Sequence, residues 1–479
     1  MQRKLMNLKP EGVFRFFEEI CAIPHGSGNT KQISDFLAGF AKARGISYVQ
    51  DDLNNVIMFA PGTCGLEDRQ PVIIQGHMDM VCEKDETCSI DMDTQGLDLA
   101  CDDTYVYAKG TTLGGDDGIA VAYALAILDD PTIAHPPLEI VITVDEETGM
   151  FGAAGIDLTM LRGKKLLNID SEEEGIFTVS CAGGARGTIR FAAPKKPVYG
   201  PVIRLQVDGL QGGHSGVEIH KNRANANKGM GELLSRINAM MPLCLTNLSG
   251  GAKDNAIPRS CKATLVAMGT DLERLNGVIA DLQQEIRDQY DEPEAVITGD
   301  MVDAFGGNAL SCEDTKKVIE LLCRVPNGVI AWSSDIEGLV QTSLNLGVMT
   351  MKDELSLTFA VRSSVNQEKR DLLDELKAIA AEFGADYSEM GDYPAWEYRK
   401  DSPLRDTITR VYRDMHGKDA QVVAIHAGLE CGLLSEKIQD LDCVSFGPDM
   451  KDIHTSREKL HIASTERVWN LLLELLKAL

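Results

Sequence analysis

The sequence predicts an α/β protein in which a first domain with a mostly parallel sheet is interrupted by a long α+β insertion and completed near the C-terminus. Three observations lead there. Helix-like and strand-like segments alternate up to "VSCAGGARG", the character then changes, and the alternating style returns from about Pro394.

Each element has a local reason. "GVFRFFEEICAIP" repeats apolar residues at helical spacing and is stopped by Pro24; "NTKQISDFLAGFAKARG" runs from a polar cap to Gly45. "NNVIMFAPG" reads as a strand closed by a Pro-Gly turn. "PVIIQGHMDMV", "LEIVITVDEE" and "KKLLNID" are strands, and "DGIAVAYALAILDD" between them is a helix. Further on, "TIRFAA" and "VIRLQVDG" open the insertion. "SPLRDTITRVYRDMHG", "QVVAIHAG", "DCVSFGP" and "STERVWNLLLELLKAL" complete the first domain. The expected boundaries are 1–184 and 396–479 for that domain and 185–395 for the insertion.

The insertion also repeats an order of elements. A helix from Asn225 to Met240 precedes "LTNLSGG", "CKATLVAM" and the helix starting at Asp271. A helix from Asp314 to Cys323 precedes "SLNLGVM", "LSLTFAVRSS" and "NQEKRDLLDELKAIAAEFG". Internal duplication is the expectation.

Composition narrows the function. The formal net charge of −26 is spread along the chain, which argues against nucleic acid as a partner and favours solubility or cation binding. With no window of 18 apolar residues and no signal-peptide core, the chain reads as cytoplasmic and free of membrane partners. Its 12 cysteines are scattered without a CxxC pair, so buried free thiols are expected.

In "TVDEETGM", Asp145, Glu146 and Glu147 follow directly on an apolar strand. Two carboxylates about 4 Å apart repel by roughly 4 kcal/mol at an effective dielectric near 20, so something must neutralise them. Other strands end in His77 and Asp79 and in Asp170, and "GTTLGG" sets Asp116 and Asp117 before a helix. In an open α/β sheet, the carboxyl ends of the strands converge on the ligand site. Taken alone, "HMD" reads as a surface or capping pair, Asp117 as a helix cap and "DEETG" as a solvated turn. Together they read as a cation site. Imidazole with carboxylates suits Zn2+, with Co2+ or Mn2+ able to substitute. Two cations sharing one carboxylate require a second histidine.

The ordered set "GHMDMV", "GTTLGGDDGIA", "DEETG", "NID" and a late "HTSRE" resembles the dinuclear zinc peptidases and amidohydrolases, the carboxypeptidase G2-like and aminoacylase-like family. "GLQGGHSG" and "GPDMKDIHTSREKLHI" resemble most closely its aminoacyl-histidine (Xaa-His) dipeptidases, and the likeness runs over nearly the whole chain. The resemblance implies a zinc-peptidase α/β/α catalytic domain with an inserted lid. It makes Asp116 the bridging carboxylate, with His77 and Asp170 on one metal and Glu147 and His454 on the other. Glu146 becomes the general base for a metal-activated water, and Asp79 the partner that orients His77. A cis peptide between Asp116 and Asp117 is implied as well.

The same resemblance makes His214 of the glycine-rich lid segment an oxyanion donor, acting in cis if the lid is duplicated. Arg362 would grip a substrate carboxylate, Asn255 would lie near the scissile group, and Glu430 in "IHAGLECG" would hold a free α-amine. The expected substrates are unblocked dipeptides, Xaa-His among them, and a homodimer through the lid is compatible with the pattern. Within the family, an N-acyl amino acid amidohydrolase would not need Glu430. Outside it, a two-metal phosphoesterase would need basic residues around the metals, and few Lys or Arg flank these motifs; a non-catalytic metal-binding protein would not need Glu146 beside its ligands.

Overall fold

A computed structural model describes residues 3–269 and 272–479, so the start of the helix expected at Asp271 lies outside the described residues. The chain forms two compact units: Met1–Ser180 with Tyr398–Ala424 and Leu429–Leu479, and Cys181–Glu397 with Ile425–Gly428. The brief return of Ile425–Gly428 to the second unit has no counterpart in the sequence reading.

The first unit is built on an eight-stranded sheet. Its order is Ser47–Gln50, Val56–Ala60, Leu138–Thr143, Val72–His77, Lys165–Asn168, Asp442–Ser445, Ile176–Cys181 and Gln421–Ile425. The four middle strands run parallel. Antiparallel pairs flank them, Val56–Ala60 on one side and Ile176–Cys181 on the other. Leu138–Thr143 and Val72–His77 are buried along their whole length, as parallel strands covered on both faces must be. Glu139 breaks the apolar run without cost in an unpaired charge, because its carboxylate accepts the N–H groups of Arg162 (2.8 Å) and Gly163 (2.9 Å).

The helix Gly115–Asp129 is buried on every side from Gly115 to Ile127. Tyr123 within it donates its hydroxyl to the Thr465 carbonyl at 2.8 Å and stacks on Trp469, which ties it to the closing helix Ile462–Ala478. Phe177 meets Tyr412 and Phe446 edge-on at the other end of the core. A small four-stranded sheet, Met450–Lys451, Lys459–His461, Tyr105–Ala108 and Leu99–Cys101, holds both ends of the loop that carries His454.

The second unit has a nine-stranded sheet in which eight strands form two halves of one design and the ninth, Gly328–Trp332, pairs with Val340–Met351. Lys196–Asp208, Leu243–Gly250, Cys261–Ala267 and Val296–Ala309 form the first, with helices Ala226–Met240 and Leu272–Tyr290. Gly183–Phe191, Val340–Met351, Leu355–Ser363 and Asp386–Tyr393 form the second, with helices Cys312–Arg324 and Asn366–Glu382. Counted outward from the shared seam, both halves run second strand, third, first, fourth. Among the described residues no helix is long and apolar enough to cross a membrane.

Phe177→Ala removes a fully buried ring with two aromatic partners. The expected loss is about 3–5 kcal/mol, read as a lower urea midpoint for the first unit's unfolding transition.

Candidate metal centre

His77 is the last residue of its strand and Asp116 lies at a kink in the first turn of the helix Gly115–Asp129, and a close backbone approach brings them together. A Cβ on Gly76 would lie 2.4 Å from an Asp117 oxygen and 2.6 Å from the Ala120 Cβ, so only glycine fits there. Asp117 does not cap its helix, contrary to the plain reading of "GGDDG". Asp116 and Asp117 have non-helical backbone at a kink in the first turn, and the Asp117 side chain makes no cap hydrogen bond: its Oδ2 instead accepts the His77 N–H at 3.2 Å. The peptide joining Asp116 to Asp117 is cis.

Asp116 stands between two imidazoles. Its Oδ1 lies 3.2 Å from His77 Nε2 and its Oδ2 lies 3.1 Å from His454 Nε2. The Asp170 carboxylate is 3.8 Å from His77 Nε2, and Glu147 is 3.0 Å from His454 Nε2. Ligand atoms of His77, Asp116 and Asp170 lie within 4.8 Å of one another, as do those of Asp116, Glu147 and His454. The two triads share Asp116. A third grouping, His77 with Glu146 and Glu147, meets the same limit. This donor set, two imidazole nitrogens and carboxylates around one shared aspartate, fits a pair of divalent cations.

The electrostatics express the same crowding. Burial disfavours charge on His77, but Asp116 and Asp79 outweigh it and push its pKa well up. Hydrogen bonds to Asp116 and Glu147 raise His454 to about 10. Against the pull of burial, the two imidazoles hold Asp116 well below the usual carboxylate range. Burial, reinforced by Asp117, pushes Asp170 well up. Glu146 rises to about 7 through burial, with His77 opposing and Glu147 and Asp116 adding to it.

Backbone contacts hold these side chains in place. Asp79 accepts the Glu146 N–H at 3.2 Å and the Ser27 hydroxyl at 2.8 Å. Its backbone carbonyl is 3.0 Å from His77 Nδ1 and its carboxylate 3.4 Å, so the carbonyl is the nearer acceptor for the ring. Asp145 sits in the left-handed region (φ 56°) and accepts the Gly28 N–H at 2.6 Å, which makes it a turn residue. His454 also has a positive φ, 59°, an uncommon conformation of the kind that gathers at functional sites. Glu458, four residues on, accepts the N–H groups of Leu113 (2.9 Å), Gly114 (3.2 Å) and Gly115 (2.7 Å), the segment leading into Asp116. His461 accepts the Ser464 N–H at 3.1 Å and caps the last helix.

Glu430, expected to hold a substrate amine, lies in a buried polar network of the sheet. It is fully buried, and one carboxylate oxygen accepts both Gln75 Nε2 and Thr143 Oγ1 at 2.6 Å. Burial lifts its pKa to about 8. Its other oxygen, Oε1, is buried without a hydrogen-bond partner among the described residues. Asn168 joins the network by donating to Gln75 at 2.7 Å. The signal for this network was a polar residue inside each apolar run: Gln75 in "VIIQG", Thr143 in "LEIVIT" and Asn168 in "LLNI".

Three expected site residues belong to the second unit. His214 pairs with Ala256 in a short two-stranded ribbon, and its Nδ1 accepts the N–H groups of Gly216 (3.2 Å) and Val217 (3.3 Å). The ring proton therefore sits on Nε2, and burial together with Arg362 lowers the pKa, keeping the ring neutral. Asn255 is exposed, and its carbonyl accepts the Ser215 N–H at 2.8 Å. Arg362 donates to the Tyr393 hydroxyl at 3.3 Å. Sequence reasoning missed His426, whose Nε2 lies 2.7 Å from Ser343 Oγ and whose pKa falls to about 3 through burial and the Arg362 charge.

Comparison with known proteins follows the same lines. The model of peptidase family M20/M25/M40 matches residues 73–478. The cytosol non-specific dipeptidase of Escherichia coli (strain K12) is 35% identical over 479 residues, covering 99% of both chains. The crystal structure of aminoacylhistidine dipeptidase from Vibrio alginolyticus superposes with a TM-score of 0.94 at 33% identity, covering 100% of this chain and 98% of that one. Aminopeptidase PepT from Bacillus cereus shares the fold, with a TM-score of 0.57 at 15% identity over 98% of each chain. From the match to its model and the full-length relationship to the E. coli protein, this chain belongs to peptidase family M20/M25/M40.

Proposed function

We propose that this chain is a cytoplasmic dipeptidase that hydrolyses unblocked dipeptides, Xaa-His among them, with two divalent cations. The observation that carries this reading is Asp116 shared between two ligand triads, in a chain related over its full length to proteins named as dipeptidases. His77 and Asp170 would hold one cation and Glu147 and His454 the other, with Asp116 between them. Zn2+ suits the donor set best, and Co2+ or Mn2+ can substitute. The cations would supply Lewis-acid polarisation of the scissile carbonyl and acidify a water.

The remaining steps fall to side chains of this protein. Glu146 takes a proton from the attacking water and returns it to the leaving amine; its raised pKa suits both directions. That leaves Glu147, which faces His454, as the ligand. Asp79 positions His77 and, through the Glu146 N–H, the base itself. His214, neutral with its proton on Nε2, has the tautomer an oxyanion donor needs, and we assign it that role in cis. Arg362 and Asn255 are assigned to the substrate carboxylate and the scissile group. Glu430 is reassigned from amine binding to holding together the strands that carry the ligands.

Metal analysis and a panel of carnosine, Ala-His, Gly-Gly and N-acetyl amino acids test the reading. Two metals per chain and hydrolysis of the free dipeptides are expected, lost on chelation and restored by Zn2+, Co2+ or Mn2+. Activity confined to the N-acetyl substrates would make the chain an amidohydrolase, and none under any metal would end the proposal. Glu146→Gln should lower kcat by about 10²–10⁴-fold with metal content unchanged. Glu458→Ala should weaken metal binding in an equilibrium titration, because three N–H groups before Asp116 lose their acceptor. Glu458→Gln, which keeps one acceptor oxygen, should fall between that variant and the parent.

A further inference from the structure

We propose that Cys244 and Cys312 form a modification site, a dithiol that a peroxide converts reversibly into a disulfide. The two sulfurs lie 2.7 Å apart in the second unit. That is closer than the usual non-bonded contact of about 3.5–4.0 Å between carbon atoms, and a shift of less than 1 Å separates it from the bonded S–S distance of about 2.05 Å.

The backbone imposes this proximity on both sides. Cys244 lies in the strand Leu243–Gly250 and Cys312 opens the helix Cys312–Arg324. Next to the pair, the Leu310 N–H donates to the Leu245 carbonyl at 2.9 Å and the Leu245 N–H donates to Thr315 Oγ1 at 2.9 Å. Strand and helix are thus pinned together one residue from Cys244 and within three of Cys312. Both cysteines pack in the same small apolar cluster, with Val202, Val266 and Ala309.

Their exposures differ in the way a two-step oxidation needs. Cys312 is half-buried and within reach of a small oxidant, whereas Cys244 is buried. The Cys312 sulfur attacks one peroxide oxygen, the O–O bond breaks, and water leaves, giving a sulfenic acid. Cys244 then attacks that sulfur, the S–O bond breaks, the hydroxyl departs with the Cys244 proton as a second water, and the S–S bond closes. Two thiols and one hydrogen peroxide become one disulfide and two waters. The sulfurs lose two electrons and the peroxide gains them. The product would link the two halves of the second unit, since Cys244 belongs to the first and Cys312 to the second.

Four other cysteines, Cys64, Cys82, Cys101 and Cys323, are exposed and compete for the same oxidant, so the test must map the bond. The full chain is treated with hydrogen peroxide, alkylated after denaturation, digested and analysed by mass spectrometry. The expected result is one linked pair of peptides carrying Cys244 and Cys312, reversed by dithiothreitol, with a higher melting temperature for the oxidised protein. Cys312→Ser should abolish both the linked pair and the shift while leaving the reduced melting temperature nearly unchanged. Separate alkylation of Cys244 and Cys312 after peroxide treatment overturns the proposal, as does linkage to any of the exposed cysteines instead.

Discussion

The first unit depends on crowding negative charge at the carboxyl ends of its parallel strands. Asp79, Asp116, Asp117, Glu146, Glu147 and Asp170 all come to one end of the sheet or to the helix beside it. Carboxylates within 4.8 Å of one another, as in the two triads that share Asp116, repel when both are ionised by about 3–4 kcal/mol at an effective dielectric near 20. Two histidines stand against Asp116, one at each carboxylate oxygen, and burial favours the protonated form of Asp117, Asp170 and Glu146.

The acidic residues divide by what their oxygens face. Asp117, Glu458, Asp145 and Glu139 each accept backbone N–H groups, so their oxygens are met by peptide dipoles and used to set the chain's course. Asp116, Asp170 and Glu147 instead face the imidazoles. Glu146 belongs to neither set: its own N–H is fixed by Asp79, yet burial and its neighbours leave its carboxyl balanced between protonated and ionised. A carboxyl so balanced is suited to accepting and giving back a proton, which a ligand is not.

Much of this was legible in the sequence, because polar residues that end apolar runs are conspicuous. The grouping of His77, the Asp145–Glu147 cluster and Asp170 at strand ends, with Asp116 before a helix, was readable from the residues; the choice of Glu147 as a ligand and the placing of His454, some 300 residues later, came only through the family resemblance. What stayed hidden was long-range or carried by backbone. Nothing local indicated that Asp117 would accept a hydrogen bond from the neighbouring strand rather than cap its own helix. Nothing local indicated that Glu430 would lie beneath the sheet, since a glutamate after "HAGL" has the same letters whether it faces a cleft or a core. The expectation of buried thiols held for six of the twelve cysteines; Cys64, Cys82, Cys101 and Cys323 are exposed, and the exposure of a single cysteine in a loop, at a strand end or on a helix leaves no compositional trace.

The duplicated design of the second unit was readable as element order but not as geometry, and the geometry is what bears on function. The halves join through a narrow seam, Ser249 opposite Thr350 and Gly250 opposite Met349. Backbones crowd there: a Cβ on Gly251 (φ 72°) would fall 1.8 Å from the Gly347 carbonyl oxygen. Asn345, from the second half, donates its amide to the carbonyls of Asp254 and Ala256 at 2.9 Å, on either side of Asn255 in the first. Ala256 pairs with His214, and the Asn255 carbonyl holds the Ser215 N–H. The loop that carries His214 and Asn255 is therefore fixed by the opposite half. Two copies of one motif within a single chain allow one copy to build the loop and the other to hold it.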